Sequence, residues 1–186
     1  DFMKQTSKLI ALLVCIVLFA GAYFLSLGFT PEEENKEALS PVIISEILAS
    51  NLNCPRPDGR MLDFVEIYNT SASPVDISGY MLSDALDSIG YTFPQGTVLE
   101  PNGYIVVWCD KLGGDGYAEF GISKDGGETI YLYNSANVVI DRVTVPALAD
   151  NQAYVRNGEG EWQTSGLASP GFADKAQWLA SLGYEA

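Results

Sequence analysis

Histidine is missing from this chain altogether, and basic residues are scarce. Ten lysines and arginines stand against 24 aspartates and glutamates, a net charge of −14. Without histidine, the commonest general base and the commonest metal ligand are both gone. Without a run of lysine or arginine there is no patch to hold a phosphate backbone, so the composition argues against a nucleic-acid partner. Cysteine is sparse as well: Cys15, Cys54 and Cys109 are the 3 in the chain, with none of the close spacings of a zinc site. Nothing in this composition calls for a cofactor.

Long apolar runs are lacking, with one exception. From Leu9 to Phe29 no residue carries a charge. As a helix this run would span about 32 Å, enough for a bilayer core of roughly 30 Å. Lys4 and Lys8 precede it and Glu32, Glu33 and Glu34 follow it, which keeps the basic flank in the cytoplasm and exports the rest. Residues 1–8 are therefore expected to be cytoplasmic, and 9–29 to be a signal-anchor helix in a single-pass protein of the cell membrane. Ala20-Gly21-Ala22 also suits a signal peptide cleaved near Ala22, with secretion as the outcome. Apolar residues continue to Phe29, however, which favours the anchor. Residues 30–41 are a polar, acidic linker that lifts the following domain off the surface.

Beyond Pro41 the pattern changes to short β-rich stretches divided by turn residues. They fall at 42–49, 63–69, 79–84, 90–93, 103–110, 128–134 and 138–145, with a weaker one at 152–157. In 103–108, Tyr104, Val106 and Trp108 share one face and Ile105 and Val107 the other, so both faces are apolar, as in a central strand. Ile130 and Leu132 oppose Thr129, Tyr131 and Tyr133, which suits a half-exposed strand. Strands this short and close, with no long helix between them, predict an all-β, antiparallel sandwich. Near the end, Asp174 can cap a short helix over 175–186 carrying Trp178, Leu179 and Leu182, which either packs on the sandwich or leads into a further domain.

The order of the pieces resembles the lamin tail domain, an immunoglobulin-like module, in the form found in bacterial surface proteins. The matching pieces are Val42 to Ile47, Asp63 to Asn69, Val75 to Asp84, Tyr91 to Pro94, Leu99 to Val107, Phe120 to Gly126, and Ser169 to Asp174. The resemblance covers roughly 42–174, with Phe64 standing where bacterial members often have tryptophan. It implies an immunoglobulin-like fold and a non-catalytic adhesion, scaffolding or tethering role toward a protein or cell-envelope partner. A second expectation is the N-terminal targeting module of a longer surface enzyme, a CotH-like kinase or a secreted hydrolase, whose catalytic domain would lie beyond residue 186. A third is a calcium- or glycan-binding surface protein.

Individual residues carry competing readings. Cys54 and Cys109 are either a disulfide, worth about 2–4 kcal/mol in an exported domain, or buried free thiols. Asp84 with Asp87, and Asp110 with Asp115, are the weak candidates for calcium, but neither grouping has the alternating spacing of a calcium loop, and a solvated acidic surface explains them. Glu46 and Glu66 sit inside apolar strands, where two carboxylates could do acid–base work or simply accept nearby hydrogen bonds. Trp162 lies in the polar loop 157–166, either as a binding surface or, as in relatives of the lamin tail type, as a structural plug. No catalytic residue is expected.

Overall fold

The computed structural model describes residues 40–172, apart from 57 and 89, together with 177, 180 and 181. The expected membrane anchor at 9–29 and the linker before residue 40 lie outside the described residues. So do Asp174, Trp178, Leu179 and Leu182 of the expected C-terminal helix, although residues 177, 180 and 181 are helical.

The described residues form twelve strands in three sheets. The largest has the order β12(Trp162–Ser165), β11(Ala153–Arg156), β1(Val42–Leu48), β2(Asp63–Asn69), β7(Tyr104–Cys109) and β8(Tyr117–Ala118). Opposite it lie β10(Val139–Thr144), β9(Thr129–Tyr133), β4(Met81–Ser83) and β5(Tyr91–Thr92). A third, two-stranded sheet pairs β3(Val75–Asp76) with β6(Val98–Leu99). Every pairing is antiparallel except β7 with β8.

Alternation of side chains along each strand sorts the six-stranded sheet into two apolar layers. Ile44, Ile47, Val65, Ile67, Val107 and Cys109 face inward and join Leu82, Phe93, Ile130 and Leu132 in the main core. On the outer face Leu48, Phe64 and Ala153 form a second, smaller cluster with Cys54 and Ala168, flanked by Val106, Trp108 and Val155. This second layer accounts for the doubly apolar pattern of 103–108. The strand lies inside the sheet, between β2 and β8, although β8 pairs only with Trp108 and Cys109, and the outer cluster covers Val106 and Trp108.

Polar side chains fasten the frame at buried places. Asn69 is fully buried, and its Nδ2 donates to Ser73 O, Leu99 O and Glu100 O, while its Oδ1 accepts from Ser71 N. One amide thus ties the end of β2 to the turn that leads into β7. Where β1 bulges between Ile44 and Glu46, Ile44 N loses its ladder partner and donates instead to Asp141 Oδ2 of β10 at 2.8 Å. Gly126, at φ +76°, lets the loop before β9 approach Pro146 and Ala147 so closely that a Cβ would meet their backbone at 2.5 Å.

Candidate functional site

Glu46 and Glu66 are register partners on the neighbouring strands β1 and β2, both on the outer face of the large sheet. Each is almost fully buried, at 2% and 1% exposure. Directly opposed side chains in an antiparallel pair lie about 5 Å apart at Cβ, so two carboxyl groups are buried side by side. The chain covers them itself. After β12 the segment 166–172 crosses back over the sheet as a strap, placing Ala168 in the outer cluster. Ser169 N donates to Glu46 Oε1 at 3.0 Å, and Ser169 Oγ donates to Glu46 Oε2 at 2.8 Å. Gly171 N donates to Glu66 Oε2 at 2.6 Å, and Ser45 Oγ donates to Glu66 Oε1 at 2.7 Å. All four carboxyl oxygens are therefore occupied by protein donors.

Burial dominates the protonation of this pair. It pushes Glu46 up to about 7, against the pull of its hydrogen bonds from Ser169. Burial and the neighbouring Glu46 push Glu66 up to about 8, opposed by the hydrogen bonds from Gly171 and Ser45.

Beside the strap the outer face opens into a trench of about 640 Å³, lined by Tyr68, Tyr104, Arg156 and Phe172 and, at the strap, by Glu46, Glu66 and Ser169. Tyr68 and Tyr104 stack across β2 and β7 at 4.5 Å between centroids. Arg156 does not confront the glutamates, because its Nη1 pairs with Asp141 Oδ2 at 2.8 Å.

The sites expected from the sequence fall in different places. Cys54 and Cys109 form no disulfide: both thiols are free and buried. The sheet itself separates them, Cys54 lying in the outer cluster and Cys109 in the main core. Burial, and then Glu46, push the Cys54 thiol up to about 11, and burial raises Cys109 further from its ionised form.

The four aspartates do not converge. Asp110 pairs with Arg60. Asp115 lines one shallow depression with Tyr117 and Glu119, and Asp84 another with Lys111, Glu119 and Glu128. Asp87 adopts φ 59°, and its backbone N donates to Tyr133 Oη. Among the described residues no three acidic or cysteine side chains group as metal ligands would.

Trp162 is not in a loop but opens β12, half-buried, stacked on Tyr154 at 4.8 Å with Arg156 over its ring. At the opposite edge, Arg56 lies over Tyr117 at 4.4 Å and Trp108 at 5.9 Å. Its Nη1 is 3.5 Å from Asp58, near enough for charge attraction, though neither that atom nor Nε is aligned for a hydrogen bond among the described residues.

The strap was the feature hidden from sequence reasoning. Its only signal was that two carboxylates in apolar strands need donors, and that Ser169-Pro170-Gly171 supplies backbone N–H groups on either side of a proline that has none.

Two β-layers around one core, with a second apolar layer sealed by the chain's own return, define a β-sandwich of the immunoglobulin-like type. The family model for the lamin tail domain matches residues 35–147, and the chain belongs to that family. No curated protein matches the chain. The strands β11 and β12 and the strap lie beyond the matched residues.

Proposed function

We propose that this chain is a non-catalytic tethering or scaffolding module, held on the outer side of a cell membrane by residues 9–29 and presenting its sandwich to a protein or cell-envelope partner. One observation carries the reading. The constellation with the chemistry for acid–base work, Glu46 with Glu66, has its oxygens engaged by Ser45, Ser169 and Gly171. What the outer face then offers a partner is shape, aromatic area and hydrogen bonding. The Tyr68–Tyr104 stack beside the trench supplies large, rigid contact area of the kind that dominates protein interfaces. The uncharged run at 9–29, basic before and acidic after, supports export and anchoring.

The test has two arms. Protease added to intact cells should remove the sandwich while sparing a short membrane fragment. A photo-crosslinking residue at Tyr68 or Tyr104 should trap a specific neighbour that the Tyr68→Ala, Tyr104→Ala double variant binds at least tenfold more weakly. A sandwich protected from external protease defeats the anchoring part. Crosslinks unaffected by the double substitution defeat the interaction part.

A further inference from the structure

We propose that Glu46 and Glu66 form a proton-operated latch: the strap 166–172 stays clamped to the sheet while the pair keeps a proton, and lifts when both carboxyls ionise. This goes beyond the tethering role and does not rest on it.

The geometry carries the argument. The two glutamates are buried register partners on the lining of the trench, and Ser169 and Gly171 of the strap donate to them. Three donors from two strap residues, Ser169 N, Ser169 Oγ and Gly171 N, reach the pair. The strap thus covers the carboxyls, and the carboxyls hold the strap. Neither does its part independently of the other.

Among the described residues no cation pairs with either glutamate. Of the charged and titratable groups around the pair, β2 contributes Tyr68, and β7 contributes Tyr104. The loop between β1 and β2 contributes Cys54, whose thiol feels the charge of Glu46. From β11 and its turn come Glu159, another acid, and Arg156, which is committed to Asp141 at 2.8 Å. The strap itself, Gly166 to Phe172, has no titratable side chain.

Two negative charges side by side, buried and with no paired cation among the described residues, repel strongly. A single ionised carboxylate is well served by the strap's N–H groups, which hold a charged acceptor better than a neutral one. A second ionisation has no comparable outlet while the strap is down. Lifting the strap admits water to both groups and is the cheapest relief, because it breaks three hydrogen bonds and withdraws Ala168 but leaves every strand pairing intact. The raised proton affinity of both groups agrees with this picture.

The sign is fixed by linkage: the closed form binds protons more tightly than the open one, so rising pH favours opening. With a release centred on neutral to mildly alkaline pH, one proton lost on opening shifts the closed-to-open ratio by up to about tenfold per pH unit.

The experiment is amide hydrogen exchange of the full chain in detergent micelles from pH 5.5 to 9, corrected for the intrinsic pH dependence of exchange. Protection at Ser169 and Gly171 should fall at least tenfold between pH 6 and 9 while amides of β2 and β9 keep theirs. In the Glu46→Gln, Glu66→Gln double variant, or in Glu66→Gln alone if the double variant does not fold, strap protection should stay level over the same range. Three results would overturn the latch: a flat profile in the natural chain, an equal fall throughout the core strands, or an undiminished fall in the glutamine variant that folds.

Discussion

Asn69 has no freedom to be anything else. Its amide, on a fully buried side chain, donates to three carbonyls and accepts from Ser71. Asn69→Ala would leave those carbonyls without a partner, at about 1–3 kcal/mol for each group left unsatisfied and not re-solvated. The expected outcome is a loss of about 3 kcal/mol in urea unfolding with little change in m. The two thiols offer a second check at this scale. Cys54 and Cys109 are buried, and both are pushed away from the reactive thiolate. A disulfide-exchange reagent at pH 8 should therefore label neither until the domain is unfolded, and then both. Rapid labelling of the native chain would contradict their placement.

Among the elements, the division between what could and could not be read follows from how each is stabilised. The longer strands were legible because their own alternation of apolar and polar residues encodes a face: 63–69 was bounded as observed, and 42–49, 103–110 and 128–134 to within a residue at either end. Of the four two-residue strands, β3, β6 and β8 have no period to detect, since only a partner defines them, while β5 lay inside the aromatic stretch read at 90–93. Trp162–Ser165 read as a loop because Gln163 and Thr164 are exposed and the tryptophan is buried only by Tyr154 and Arg156 across the hairpin. Glu46 and Glu66 were visible as anomalies, but not the strap that occupies them, which returns from 123 and 105 residues away.

Two predictions belong at this scale. Gly126→Ala forces a Cβ into the backbone of Pro146 and Ala147 at a positive φ, and should cost about 2 kcal/mol or more in thermal or urea unfolding. The pH dependence of stability follows from the glutamate pair. Both hold protons more tightly when folded, at about 7 and about 8 against an ordinary 4.5. Below about pH 4.5 both states are protonated and nothing is lost. As pH rises the unfolded chain ionises first, so stability falls across the window from about 4.5 to about 8 and levels beyond it. The slope is at most about 1.4 kcal/mol per pH unit for each proton involved. Asp63 and Glu128, also raised by burial, add to the same trend. Denaturation midpoints measured from pH 5 to 9 should decline, and replacing both glutamates with glutamine should flatten much of that decline.

For the whole molecule, charge and folding pull in opposite directions. A net charge of −14 at neutral pH keeps copies apart in solution, and the isoelectric point near 4.1 removes that protection in acid. Light scattering against pH should show a solubility minimum close to pH 4, near the pH at which the buried carboxyls are most comfortable. A chain that scattered most at pH 8 would contradict this balance.

The strap has a mechanical consequence. Its attachment points, Glu46 and Glu66, lie on β1 and the strand beside it, and β1 begins two residues after Ser40. Tension drawn between residue 40 and residue 172 would travel through a few residues of β1, across the glutamates and out along the strap, leaving the remaining sheets slack. Under such a load the bonds from Ser169 and Gly171 to the glutamates carry the force at the strap end, so their strength sets how soon the strap peels from the sheet.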